Sequence, residues 1–178
     1  LGMLGAMALD FSRLEAREGF VFDCTAVPGG YVASTPTAYD FKIRITGKPA
    51  HSAVAPEKGI NALTMATHVM GGFPVGRISD HSVANFGTIH GGTADNVVPD
   101  QVTLTGEFRS FSEEEISAMR ELLTSLCSAA ADRWGGSCEP SFMLSFQGFQ
   151  FGPEMPLVQR LHGAFARAGV VPQPLVYY

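Results

Sequence analysis

His51 stands in the stretch Gly47-Lys48-Pro49-Ala50-His51-Ser52, with Pro56 and Gly59 following, in a proline-stiffened loop that approaches a helix N-terminus. Imidazole donates or accepts a proton near neutral pH, so His51 could polarise a carbonyl or steady an oxyanion; an ordinary surface histidine is the alternative. A second loop, Gly91-Gly92-Thr93-Ala94-Asp95-Asn96-Val97-Val98-Pro99, combines glycines that permit unusual backbone angles with the Asn96 amide, which could face a ligand. A plain hairpin connection would use the same residues. Arg109 closes the strand that follows, where a planar guanidinium can hold a carboxylate by two parallel hydrogen bonds. Asp23 ends the apolar run Gly19-Phe20-Val21-Phe22, at the kind of strand end where α/β enzymes place ligands, although one carboxylate cannot define a zinc site. His68, His81, His90 and His162 show no ligand spacing and read as ordinary histidines.

The elements that must position these residues are legible in the hydropathy pattern. Ala38 to Thr46 alternates apolar and polar residues as a half-buried strand does. Gly59 to about Val69 reads as a helix, with Pro56 and Glu57 at its approach and Gly71-Gly72-Phe73-Pro74 closing it. Strands are expected at about Ser82 to His90 and Gln101 to Ser110, the second placing Val102, Leu104, Gly106 and Phe108 on one face. Ser112 and Glu115 have capping-box spacing at the head of a long helix that Gly135-Gly136 stops near Trp134. A last strand near Glu139 to Gln147 completes the order strand, helix, strand, strand, helix, strand. That order is the α+β, ferredoxin-like βαββαβ sandwich, an antiparallel sheet with two helices on one face. Beyond it, Leu157 to Ala166 has helical spacing with Gly169 as its stop, and Val170 to Tyr178 looks like a strand.

Composition narrows the class. The 178 residues carry 17 Asp and Glu against 12 Lys and Arg, a formal charge of −5, and 46% hydrophobic content. This is the profile of an acidic globular protein with a sizeable core, which argues against disorder and against a nucleic-acid partner. No apolar run approaches the roughly 18 residues of a membrane span, and a cytoplasmic location is expected. Cys24, Cys127 and Cys138 lack C-x-x-C spacing, so no disulfide framework or zinc knuckle is indicated, and they read as buried thiols. The apolar, glycine-punctuated opening Leu1 to Leu9 has the spacing of a short buried helix and reads like the interior of a longer protein.

With these motifs in order, the chain resembles the di-zinc exopeptidase and aminoacylase family, most closely its peptidase-T-like tripeptidase branch, which also has carboxypeptidase G and succinyl-diaminopimelate desuccinylase as relatives. The resemblance implies that residues 38–147 are an inserted dimerisation domain, with residues 1–37 and 148–178 as fragments of an α/β catalytic domain. It implies that His51 reaches the active site of a partner subunit and stabilises the tetrahedral intermediate. It assigns Asn96 and Arg109 to the substrate carboxylate or backbone, and Asp23 to one zinc. The family's other metal ligands and its general-base Glu have no counterpart in this sequence. Two zincs per subunit are therefore expected in the intact parent and none on this chain alone, which is expected to be inactive. The implied function is that of the dimerising, substrate-orienting part of a zinc aminopeptidase acting on short peptides as a homodimer. The alternatives are a parent that hydrolyses N-acyl amino acids, or a stand-alone ferredoxin-like module that dimerises or binds a small carboxylate.

Overall fold

A computed structural model describes residue 5 and residues 8–23 and 26–178; the opening helix expected from Leu1 to Leu9 falls largely outside the described residues. The chain divides into two compact units, residues 34–150 with 176–178, and residues 1–33 with 151–175.

The larger unit is built on a five-stranded antiparallel sheet. β1 (Gly30–Thr35) leads into β2 (Thr37–Thr46), helix α1 (Ala62–Gly72), the two-residue β3 (Gly76–Arg77), β4 (Ser82–Gly91), β5 (Gln101–Ser110), helix α2 (Glu113–Trp134) and β6 (Ser137–Phe146). The sheet order is β3-β4-β5-β2-β6. Without the short β3 this is the ferredoxin-like arrangement, with β2 and β5 in the centre.

Strand alternation follows from the side chains. On β2, Phe41, Ile43 and Ile45 are buried while Lys42 and Arg44 are exposed, and on β5 Val102, Leu104 and Phe108 are buried between half-buried Thr103, Thr105, Glu107 and Arg109. One sheet face is thus apolar and the other polar. The apolar face meets Ala62, Met65, Ala66 and Val69 of α1 and Ile116, Met119, Leu123, Cys127 and Ala130 of α2. That three-and-four spacing is the buried stripe of an amphipathic helix, and each large side chain fully buried there contributes about 1.5–3 kcal/mol.

The helix ends have identifiable causes. Asn61 Oδ1 accepts from the N–H of Leu63 and Thr64 at 2.9 and 3.1 Å, so α1 starts at Ala62, and Pro56–Lys58 forms a separate 3-10 turn. Ser112 Oγ accepts from Glu115 N–H at 3.2 Å, and Gly135, at φ +79°, ends α2 in the left-handed conformation. Only half of the expected capping box forms, because the Glu115 carboxylate is taken up by serines from other elements.

In the smaller unit, helix α3 (Pro156–Arg167) buries Val158, and Gly169 at φ +68° turns the chain out of it. His162 Nε2 lies 2.9 Å from the Tyr31 hydroxyl, and Arg160 pairs with Glu18. β8 (Gln173–Val176) begins in this unit, where the Gln173 N–H donates to the Gly29 carbonyl at 2.8 Å, whereas β7 (Phe149–Gln150) belongs to the larger unit and pairs there with Ser34 and Thr35 at the end of β1. The strand expected at Gly19 to Phe22 does not form: the segment has no regular structure, and Phe20, Val21 and Phe22 are exposed. A strand needs a paired neighbour, and no described strand lies against it. No helix among the described residues is long and apolar enough to cross a membrane.

Candidate functional site

Two loops far apart in sequence are stitched together at one end of the central sheet. The Gly47 N–H donates to the Asp100 carbonyl at 2.7 Å, Val98 N–H to Ala50 at 2.8 Å, Ser52 N–H to Asn96 at 3.0 Å and Ala62 N–H to Pro99 at 2.8 Å. His51 and Val97 form an antiparallel bridge, as do Lys48 and Ile60. Gly47 is required at this seam, because a Cβ there would collide with the Ile60 carbonyl. The outcome is that His51 and Asn96, separated by most of the βαβ unit, sit on adjacent exposed backbone.

The His51 ring has a defined polarity. Its Nδ1 accepts the Ala53 N–H at 3.2 Å, which leaves Nε2 as the protonated nitrogen of the neutral ring. A single N–H donor held in an exposed loop is suited to a developing oxyanion. Beside the loops, at the tip of the β4–β5 hairpin, lies an open groove of about 430 Å³ lined by residues that include His90, Gly92, Thr93 and Gln101.

Arg109 is not at that end. In the sheet Gln101 pairs with Thr46, next to the stitched loops, whereas Arg109 pairs with Ala38 and with Val83. Eight residues of extended chain, roughly 27 Å at about 3.4 Å per residue, separate the two positions. Arg109 lies on the polar face, where Nη2 is 2.9 Å from Glu107 Oε2 and the guanidinium sits over the Phe146 ring at 5.6 Å.

The end of β5 that carries Arg109 is fastened by a cluster that the sequence reading did not single out. Ser79 donates to Glu115 Oε2 at 2.9 Å, Ser82 donates to the same oxygen, and Ser110 Oγ lies 3.3 Å from it and 2.7 Å from Ser82 Oγ. The Ser112 N–H donates to Ser110 Oγ at 2.9 Å. Ser82 and Ser110 are fully buried and directly opposite each other in register, adjacent to the Val83–Arg109 pair. Hydroxyl donation from Ser82 and then Ser79 holds the Glu115 carboxyl below its ordinary range, against the opposing effect of burial. Glu107, two residues before Arg109 on a strand, was findable from the period of two. The serine cluster joins β4, β5 and α2 and has no local signature.

Asp23 is exposed on irregular chain. Among the described residues no three His, Cys, Asp or Glu side chains come together to hold a metal ion. Zinc takes three or four protein donors, so the described residues do not build a zinc centre.

Comparison with known proteins agrees with this geometry. The sequence pattern of the peptidase dimerisation domain matches residues 34–135. Over 94% of its length the chain is 34% identical to the uncharacterized protein YqjE of Bacillus subtilis (strain 168), of which it covers 45%. It superposes on aminopeptidase PepT from Bacillus cereus ATCC 10987 with a TM-score of 0.88 and 32% identity, covering 99% of this chain and 47% of that one. For a tripeptidase from Staphylococcus aureus subsp. aureus Mu50 the TM-score is 0.90 at 28% identity, again over 99% and 47% of the two chains. The chain spans about half the length of these relatives. The βαββαβ sandwich with its stitched His51 and Asn96 loops is therefore a peptidase dimerisation domain, and the chain belongs to the M20 peptidase family.

Proposed function

We propose that this chain is the dimerising and substrate-orienting part of a cytoplasmic, zinc-dependent aminopeptidase of the tripeptidase kind. In this reading residues 38–147 are the dimerisation domain, and residues 1–37 and 148–178 belong to a catalytic domain whose remaining length supplies the metal ligands other than Asp23. The chain alone would then be inactive. The likeness to an aminopeptidase and a tripeptidase over nearly the whole chain supports the substrate class.

The observation that carries the reading is the separation of His51 and Asn96 from Arg109. A tripeptide in extended form reaches only about 10 Å, so it cannot touch both ends of β5 in one copy. Two copies whose two-fold axis runs across the strands present opposite ends of their sheets to each other's sites. In such a dimer Arg109 of one subunit grips the substrate carboxylate. His51 and Asn96 of the other reach the scissile bond, with the His51 Nε2–H donating to the oxygen that gains negative charge.

The test uses two full-length variants, His51→Ala and Arg109→Ala, assayed at substrate concentrations below KM, where each retains little activity. If the two residues serve a site from different subunits, reassociating an equal mixture creates heterodimers with one intact site, and activity returns to about one quarter of wild type. If both act in one subunit, the mixture stays inactive and the reading is overturned.

A further inference from the structure

The polar residues that are buried among the described residues, Thr37, Ser82 and Ser110, fall in a single row across the sheet. Thr37 of β2 pairs with Ser110 of β5, and Ser110 pairs with Ser82 of β4. Two residues further along the strands this face carries Tyr39, Phe108 and Ala84, part of the core that meets the helices. A hydroxyl is unfavourable in such surroundings unless it is bonded. β2 begins at Thr37, β4 begins at Ser82 and β5 ends at Ser110, so the row is also the outermost rung of the ladder, where strands fray first.

All three hydroxyls are bonded, and the bonds lead out of the sheet to other elements. Thr37 Oγ1 accepts from the Gly148 N–H at 3.0 Å and from Gln147 Nε2 at 3.2 Å, which fastens the chain just beyond β6. At the other end of the row, Ser82 and Ser110 gather with Ser79 on Oε2 of Glu115, in the first turn of α2. The adjoining row, one residue along each strand, holds Phe146, Ala38, Arg109 and Val83. The Arg109 guanidinium lies over the Phe146 ring at 5.6 Å. Both residues that set its place are therefore next in sequence to a braced one, Arg109 to Ser110 and Phe146 to Gln147.

We propose that Glu115, acting through this row of hydroxyls, is a positioning residue that holds Arg109 where it meets the substrate carboxylate; the inference rests on the function proposed above and deepens it. Successive residues of a strand point to opposite faces, so the hydroxyls lie toward the helices and Arg109 lies on the polar face. Glu115 thus acts through the backbone of β5 and never touches substrate. Its carboxylate is an acceptor only, which suits it to collect several hydroxyl donors at once. Without it, the last rung loses its charged anchor, and opening of the Ser82–Ser110 pair exposes the Val83–Arg109 pair to the same fraying.

The experiment compares, in the full-length enzyme, kcat/KM for one tripeptide with a free C-terminal carboxylate and for the same tripeptide as its C-terminal amide. Wild type should prefer the acid, and Arg109→Ala should erase that preference; if it does not, the function proposed above fails and this inference with it. Once Arg109 is shown to carry the preference, Glu115→Ala is expected to cut it by about 5- to 10-fold, through KM for the acid, with the amide hardly affected. Glu115→Gln keeps an acceptor oxygen and should restore most of the preference. Adding Glu115→Ala to Arg109→Ala should leave the ratio where it is. Ser79→Ala removes one half-buried donor and should lower the preference by about 2-fold. An equal loss on acid and amide, an unchanged ratio, or a further drop in the double variant would each overturn the inference. Should Glu115→Ala fail to fold, Ser79→Ala decides alone, and no drop there overturns it.

Discussion

Arg109 is held by Glu107, two residues before it on the same face of β5, with Nη2 2.9 Å and Nε 3.3 Å from the same carboxylate oxygen. The guanidinium proposed for substrate is therefore occupied by its own strand, and an incoming carboxylate must displace or share that partner. In the full-length enzyme, Glu107→Gln is expected to lower KM for peptides with a free C-terminal carboxylate. Arg109→Ala should raise it by about 10- to 100-fold, and Arg109→Lys should restore little, because an ammonium lacks the planar fork. Thermal midpoints should hardly move, since a partly exposed ion pair contributes only about 0–1 kcal/mol. Steady-state kinetics beside a melting curve separate the two effects.

The homodimer proposed above is expected to form through the central sheet. β3 covers β4 only at Val83 and Ala84, and β6 closes the other side, so the sheet order leaves two edges for pairing. Sedimentation equilibrium of the chain at micromolar concentration is expected to give twice the monomer mass. Hydrogen exchange of the amides in β4 beyond Ala84, or in β6, should slow as concentration rises. A monomer mass across that range would remove the proposed two-copy site.

The serine-bound Glu115 makes stability depend on pH in a stated direction. Its carboxyl is held below the ordinary range by hydroxyl donors that the unfolded chain lacks. The stabilisation is therefore complete above the unfolded carboxylate pKa and is lost as pH falls through the lower folded value. Glu115→Gln should flatten this part of the acid-side decline. At pH 7 it should cost about 1–2 kcal/mol, because Ser82 and Ser110 are buried and lose a charged acceptor. Urea melts of both proteins between pH 3 and 7, values spanning the usual carboxylate range of about 4, measure the difference.

Gly106 sits opposite Phe41 in the centre of the sheet. A Cβ at this position would collide with the Phe41 ring and the Asn85 carbonyl oxygen. Phe41 itself stacks on Phe108 at 6.2 Å and meets Phe86 edge-on at 5.2 Å, so it has no free direction to yield. Gly106→Ala is expected to destabilise the domain by about 1–3 kcal/mol through overpacking. Denaturant titration at pH 7 tests this, and an unchanged midpoint would mean that the ring moves aside.

Much of the sandwich could be read from residue order because its signals are local. The alternation of Phe41, Ile43 and Ile45, the Ser112 cap and the left-handed Gly135 each act within a few residues. What escaped depends on distant partners. Gly87 is an extra residue between the pairs Phe86–Gly106 and Thr88–Thr105, so Phe86 and Ile89 come to one side of the sheet despite their odd spacing. The apolar run Phe20 to Phe22 looks like a strand, yet it has no neighbour among the described residues. At the candidate site, His51, Asn96 and Arg109 could be singled out by residue type. Their division between two ends of one strand was not, because it is fixed by register rather than by sequence distance.

The pleated length of β5 acts as a ruler for any engineering of this domain. Inserting one residue between Gln101 and Arg109 would swing the guanidinium onto the apolar face, among the helices, where a charge has no partner. Inserting two would return it to the polar face but carry it about 7 Å farther from the His51 loop. Reach in this domain can therefore be altered only in steps of two residues along the strand, and intermediate distances have to be set in the loops.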